Sequence, residues 1–449
     1  MLGSPLSSQP LGDPLQIGSK MMEKRLLLSA VVLVFLLTSC TQLAASPSLA
    51  PASTPSVATE TPEPTRAATP TVVALEPTAI AQPTSEPRPS DLEKLFIDVF
   101  APQPGERVLV MIDLPHGRWT DNEEWVDRRD MAIEWHSAFQ QLGTKLGFSV
   151  HPLLTYPATG AHNGPLPEEA EMEGQQVRFE EILADTTIVV ALTEYSATAP
   201  LIEFTQRLPN LRAASMPGVM KSMEQTALAA DYDEVARKSH ILAARLDRAV
   251  GAEVEFSTGQ WMYFDLRHRK AEADDGQLPA DKEGIRVINL PSGEAYAAPY
   301  EGELEGQPSE TEGTIPIMYN GELVIFAVRE NRIVEVTGDS PEAAQIRNYI
   351  AMDEARRNIA ELGLGCNDEA VISGNVLEDE KVLGMHWALG RSDHLGGTVG
   401  VADFSDPSHV VHWDFVYPKG GAIEIASLVL EYEDGSSEEI IRDGEYTIF

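Results

Sequence analysis

The sequence predicts an α/β fold. An N-terminal open α/β domain with a mostly parallel sheet is followed by a C-terminal strand-rich α+β part. Three observations carry this. Residues 108–113 and 187–193 are almost uninterruptedly apolar, the pattern of strands buried on both faces of a parallel sheet. Helix-length stretches alternate with such runs up to about residue 268. Beyond about residue 271, strand-like runs predominate.

In chain order, 108–113 is the first strand and 122–146 an amphipathic helix. Residues 148–154 read as a second strand, 187–193 as a third and 211–216 as a fourth, with a short helix near 200–208. A clear helix follows over 233–250 and stops at Gly251. In the second part Ser340 is a helix N-cap and Pro341 fits the first turn, where its missing N–H costs nothing. That helix is expected to reach about Arg357. Glu433, Asp434, Gly435 and Ser436 separate two strand-like runs, a hairpin signal. The expected domains are 92–270 and 271–449.

The first 91 residues read differently. Lys24 and Arg25 precede an apolar run over 26–37, followed by Thr38, Ser39 and Cys40. A basic start, a short apolar core and small residues make a secretory signal, too short to span a bilayer comfortably. Cys40 stands where a lipobox places its lipidated cysteine, so 1–40 is expected to be a lipoprotein signal peptide, with Met21 or Met22 as initiator. An ordinary signal peptide with an incidental cysteine is the plainer reading. Residues 41–91 hold ten prolines and no aromatic residue, which predicts a disordered tether lifting the folded part off a membrane. The expected location is therefore extracytoplasmic, with a lipid anchor.

The net charge of −37 argues against nucleic acid and against an anionic membrane surface as partners. Cys40 and Cys366 are the only cysteines, so with Cys40 lipidated the fold relies on its core and not on a disulfide. There is no Gly-x-Gly-x-x-Gly or Walker loop for a nucleotide and no Gly-x-Ser-x-Gly elbow for a serine hydrolase.

Chemistry concentrates late in the chain, where four of the ten histidines lie between His386 and His412. On a strand His412 and Asp414 share one face among apolar neighbours. A carboxylate buried there needs a cationic compensator, and a divalent metal is one; a structural histidine–aspartate pair is another reading. His386 is flanked on its face by Gly384 and Ala388, which leave room beside the imidazole. Glu294 leaves a turn, Glu361 sits in an apolar, glycine-rich run, and Glu380 precedes His386. Singly, each acid reads more readily as solvated surface, and His386 equally well as a satisfied core histidine.

Taken jointly and in order, these pieces resemble the aminopeptidase T family of metallopeptidases. They are 289–294 with Ala298 and Pro299, then Glu361, Leu362 and Gly363, then Asp379, Glu380 and Lys381. After them come Gly384, His386, Ala388 and Gly390, and then His412 and Asp414. Runs at 189–193, 214–218 and 231–232 resemble it too, so the likeness spans roughly 92–449. The resemblance implies a peptide substrate and homodimers formed through the C-terminal half. It also implies two divalent ions (zinc, cobalt or manganese) held by Glu294, Glu361, Glu380, His386, His412 and Asp414, with Glu361 as proton shuttle. Two departures stand out. No tyrosine follows Ala388-x-Gly390, so His394 is the candidate donor in its place. Glu380 lies six residues before His386, slightly farther than in that family. The 2,5-dihydroxypyridine dioxygenases resemble the same C-terminal half. Under that alternative His386, His412 and Asp414 hold one Fe(II). A non-catalytic binding lipoprotein that kept the fold is the third alternative.

Overall fold

Apolar runs without polar interruption form the centre of the first sheet. Arg107–Leu114 and Ile188–Thr193 lie side by side and parallel, their inner residues buried on both faces. Arg212–Pro217 and then Val287–Asn289 extend the sheet on one side. Leu154–Pro157, Glu169–Met172 and Gln175–Arg178 extend it on the other, the last two antiparallel. Helices cover both faces. Phe96, Phe100, Trp135 and Phe139 pack from Leu92–Phe100 and Glu123–Leu146 on one side. Phe179, Leu183 and Leu201 pack from Phe179–Ala184 and Thr198–Arg207 on the other. This is the open, mostly parallel α/β arrangement that the sequence predicts.

The structure is a computed structural model and describes residues 91–449 except Ile285. The signal peptide, Cys40 and the tether lie outside the described residues. All described residues belong to one compact unit. Among them no helix is long and apolar enough to cross a membrane, and Cys366 is a buried free thiol.

The second part is two antiparallel sheets packed face to face, which bears out its strand-rich character. A five-stranded sheet runs Glu272–Asp274, Glu294–Ala297, Ile359–Gly365, Gly384–Gly390, His412–Pro418. An eight-stranded sheet runs from Arg332–Thr337 through Glu322–Arg329, Glu312–Tyr319, Trp261–Asp265, Ala249–Phe256 and Ile425–Tyr432 to Ser437–Arg442 and Glu445–Tyr446. Leu362, Leu364, Met385, Trp387 and Leu389 meet Val254, Phe264, Ile315 and Phe326 in the core between them. Trp387 stacks on Phe415 at 4.8 Å, and its indole N–H donates to Tyr417 Oη at 2.9 Å. Tyr417 Oη donates in turn to the Pro316 carbonyl across the sheets at 2.8 Å, so the polar tips of the buried aromatics are satisfied.

Several expected limits move. The strand expected at 148–154 is two short ones, Ser149–Val150 and Leu154–Pro157. Pro152 lies between them and has no N–H for a ladder. The helix expected over 233–250 is Tyr232–Leu246, and Ala249–Phe256 is a strand. Pairing on both edges, with Ile425–Tyr432 and Trp261–Asp265, outweighs helical continuation there. The helix after Ser340 is Pro341–Ala351, and Asp353 then caps a separate 3-10 turn, Glu354–Arg357. The boundary expected at 270 is crossed in both directions. Two strands before it belong to the eight-stranded sheet, and Val287–Asn289 after it completes the first.

Candidate metal centre

One face of the five-stranded sheet is apolar and packs in the core; its other face carries the acids and histidines. Alternation explains the division. Leu362, Leu364, Met385, Trp387, Leu389 and Phe415 point inward, so Glu361, His386, His412 and Asp414 point the other way. A bulge between Ile359 and Glu361 shifts the alternation, letting Ile359 and Leu362 both reach the core while Glu361 does not. Cross-strand register gathers the set. Ala388 lies between Glu361 and Asp414, Gly390 pairs with His412, and Gly363 pairs with His386. Glu294, at the start of its strand, pairs with Gly365. Gly363 is required: a Cβ there would stand 1.9 Å from His386 Nε2, because the imidazole lies across that glycine.

The side chains converge into two groups that share Glu361. His386 Nε2 is 3.1 Å from Glu294 Oε2 and 3.4 Å from Glu361 Oε1. His412 Nε2 is 2.9 Å from Glu361 Oε2 and 3.5 Å from Asp414 Oδ1. Within each group, Glu294–Glu361–His386 and Glu361–His412–Asp414, the candidate ligand atoms all lie within 4.8 Å of one another. His412 Nδ1 faces the Arg391 carbonyl at 2.8 Å, which orients the ring and leaves Nε2 for the centre.

Balanced by protons alone, these groups polarise one another strongly. Burial disfavours the His386 imidazolium, but hydrogen bonds to Glu294 and Glu361 outweigh it and hold the ring protonated well above its usual range. Burial opposes the charge on His412 too, and Asp414 and Glu361 overcome it. Burial alone would raise Glu361; the two histidines hold it far below the usual carboxylate range. Glu380 goes the other way. Burial, with Lys381 opposing and Glu294 and Asp414 repelling, pushes it up to about 8.

Of the six ligands expected from sequence, five fall into the two groups. Glu380 does not; its carboxylate pairs with Lys381 Nζ at 2.8 Å. Lys381 is the residue that sequence reasoning left without a role. It is buried, and its ammonium also lies 2.5 Å from Glu294 Oε1 and 3.2 Å from Asp274 Oδ2. Among the described residues it is the one lysine or arginine paired with any acid of this cluster. The available signal was a lone lysine closing the acidic run 378–380 just before a buried strand. Asp274 was missed as well, since nothing local separates it from its neighbour Asp275.

His394 lies in a 3-10 turn, Asp393–Leu395, with its ring edge-on to His412 at 5.0 Å. Partial burial, then the positive charges of His412 and Arg391, push its imidazole down to about 4. Glu301 anchors the surrounding loop, accepting from Asn358 Nδ2 at 2.8 Å, from Ser392 Oγ and from the Thr398 N–H at 2.5 Å.

The donor set fits a divalent cation. Glu294 Oε2 and Asp414 Oδ1 are buried acceptors that each share a single histidine Nε2 with Glu361 and have no donor of their own, a costly state that a cation relieves. Imidazole nitrogens and carboxylate oxygens together suit zinc, manganese or cobalt.

Residues 220–446, just over half of the chain, match the family model described as thermophilic metalloprotease (M29). Among solved structures the chain is similar to 2,5-dihydroxypyridine dioxygenase from Pseudomonas putida KT2440. The identity is 16% and the TM-score 0.54, over 80% of this chain and 97% of that one. It is also similar to wild-type AmpT from Thermus thermophilus, at 16% identity and a TM-score of 0.48, over 80% of this chain and 98% of that one. No curated protein matches it in sequence.

Proposed function

The chain belongs to the thermophilic metalloprotease family, M29, and on that premise we propose that it is a metal-dependent aminopeptidase acting on short peptides outside the cytoplasm. The observation that carries the proposal is Glu361 shared between two histidine-containing groups on one sheet face. Glu294, Glu361, His386, His412 and Asp414 would hold the metal, which when bound lowers the pKa of a water and polarises the scissile carbonyl. The chain's own residues do the rest. His412 is held by the Arg391 carbonyl with Nε2 inward. Both Glu361 oxygens face imidazole nitrogens, which suits a spanning ligand; acting as proton shuttle needs one of them freed. Acids outnumber the single lysine around the site, and that surplus suits the free ammonium of a peptide N-terminus.

The dioxygenase reading needs His386, His412 and Asp414 on one ion. Here His386 groups with Glu294 and Glu361, apart from His412 and Asp414, which supports the peptidase. The likeness to the dioxygenase structure, at 16% identity, concerns the fold. The test is release of the N-terminal residue from short peptides, loss of that release with chelator, and recovery with zinc, cobalt or manganese. N-acetylated peptides should resist. Oxygen consumption with a dihydroxypyridine and no peptide hydrolysis would replace the proposal.

His394 takes the donor role in this proposal. His394→Ala should cut turnover by about 100- to 1000-fold, the usual cost of an oxyanion donor, with metal content unchanged. A wild-type rate would remove it from the mechanism. The address stays part of the proposal. Cys40 is the lipidated N-terminus, so Cys40→Ser should release the protein from the membrane or leave it unprocessed. Membrane retention of that variant would count against the anchor. Assembly into homodimers is carried from the family resemblance.

A further inference from the structure

We propose that Glu301 is a positioning residue of the reaction, a buried carboxylate that pins residues 391–399 and so holds both the His412 ring and His394 in their working places. The inference rests on the aminopeptidase reading above and deepens it.

Glu301 stands where three strands of the metal face come together. It follows Glu294–Ala297, which starts with Glu294. Asn358 directly precedes Ile359–Gly365, which bears Glu361, and Ser392 lies just past Gly384–Gly390, which bears His386. One carboxylate joins them. Oε1 accepts from Asn358 Nδ2 at 2.8 Å and from the Ser392 hydroxyl. Oε2 accepts from the Thr398 N–H and from the Thr398 hydroxyl, each at 2.5 Å. With donors on both oxygens, the position calls for an ionised carboxylate; an amide would turn an NH2 toward one of the two sets. The Glu301 side chain is 5% exposed, and the Arg269 guanidinium 3.7 Å away supplies its countercharge.

The loop closes tightly on this point. Ser392 is buried; its N–H donates to the Val399 carbonyl at 2.9 Å, and its Oγ accepts from the Val399 N–H at 3.2 Å. Gly397 leaves the space that the junction fills, since a Cβ there would stand 2.3 Å from Ser392 Oγ and 2.9 Å from Glu301 Oε1.

What the loop carries gives the junction its role. The Arg391 carbonyl sets the His412 ring from Nδ1 at 2.8 Å, and His394 lies edge-on to that ring at 5.0 Å. Glu301 belongs to neither group of ligand atoms, so it acts on the centre only through this loop. Partners of that kind are worth about 10–100-fold in activity or metal affinity.

The test compares the full-length chain, loaded with Co(II), with three variants. Glu301→Gln keeps the size and loses the second acceptor. Gly397→Ala crowds the junction without touching its charge. Glu305→Gln alters an exposed acid of the same segment and serves as control. Amide exchange by mass spectrometry, the visible Co(II) bands, kcat and KM are measured on each. Glu301→Gln and Gly397→Ala should speed exchange in 391–399 at least about tenfold while the rest of the chain stays protected. Their Co(II) bands should shift as the His412 ring turns. Their kcat should fall about 10–100-fold with KM within about twofold. Glu305→Gln should match the wild type. A wild-type kcat in a folded Glu301→Gln protein overturns the inference, and so does a rise in KM with kcat intact. Faster exchange spread over the whole chain also overturns it, because Glu301 would then serve stability alone. If Glu301→Gln does not fold, Gly397→Ala decides by the same measures. A wild type that releases no N-terminal residue overturns the aminopeptidase reading, and exchange and the Co(II) bands then decide alone whether Glu301 sets the loop and the ring.

Discussion

Gly363 shows how much of this site depends on a missing atom. The His386 ring lies where a side chain at 363 would begin, and only a hydrogen there lets it reach Glu294 and Glu361. Gly363→Ala should displace the imidazole, destabilise the protein by about 1–3 kcal/mol as overpacking does, and lower metal content. Thermal melts and elemental analysis check it; an unchanged metal content would mean that His386 does not reach the ion. His412→Ala and Asp414→Ala should each weaken metal binding by at least about 10–100-fold, since even an outer partner of a ligand is worth that much. His116→Ala, whose Nε2 only meets the Ala158 carbonyl at 2.9 Å, serves as control and should bind metal normally. His412 and Asp414 were legible in the sequence because alternation alone puts them on one face. Lys381 and Asp274 were not. Their meaning lies in three-way contacts between residues far apart in the chain, which no local pattern records.

Loops around the site are fastened by carboxylates, and Asp353 is the clearest case. Burial alone would raise its pKa. Hydrogen bonds from the Ser405 hydroxyl and N–H and from the Ala355 N–H, with His409 Nδ1 at 3.0 Å, hold it far below the usual carboxylate range. The sign follows from linkage. A carboxylate whose folded pKa is depressed adds stability above its unfolded value of about 3.9, and that stability is lost as pH falls toward the folded value. Asp353→Asn should therefore cost about 1–3 kcal/mol at pH 7. The gap from wild type should close in acid, below about pH 4. Denaturant melts at both pH values measure it, and a gap independent of pH would rule out the carboxylate charge as the cause. Element limits were legible where local chemistry sets them, as with Asn122 accepting from Trp125 N at 2.9 Å and Ser340 accepting from Ala343 N at 3.1 Å. They were not where tertiary pairing decides, as at Ala249–Phe256, whose apolar residues suit a helix as well as a strand.

At the scale of the whole molecule, every described core residue lies at or after Leu95. A protein lacking residues 1–91 should fold cooperatively and keep the metal content of the full chain, checked by calorimetry and elemental analysis. A loss of either would show that the N-terminal stretch takes part in the fold. The fold class could be read because buried parallel strands and hairpins leave distinct patterns. The partition of strands among sheets could not, because pairing joins segments more than a hundred residues apart, as Ala249–Phe256 with Ile425–Tyr432.

That partition also bears on how the chain can change over generations. Strands from each side of residue 270 are built into the other side's sheet, and only residues 290–293 separate Val287–Asn289 of the first sheet from Glu294 of the metal face. The two halves are laced and not strung. A recombination event that swapped everything before residue 270 for a foreign sequence would strip two strands from one sheet and leave Val287–Asn289 without the sheet it edges. Such a lineage can vary its loops freely, but it has to inherit both halves together.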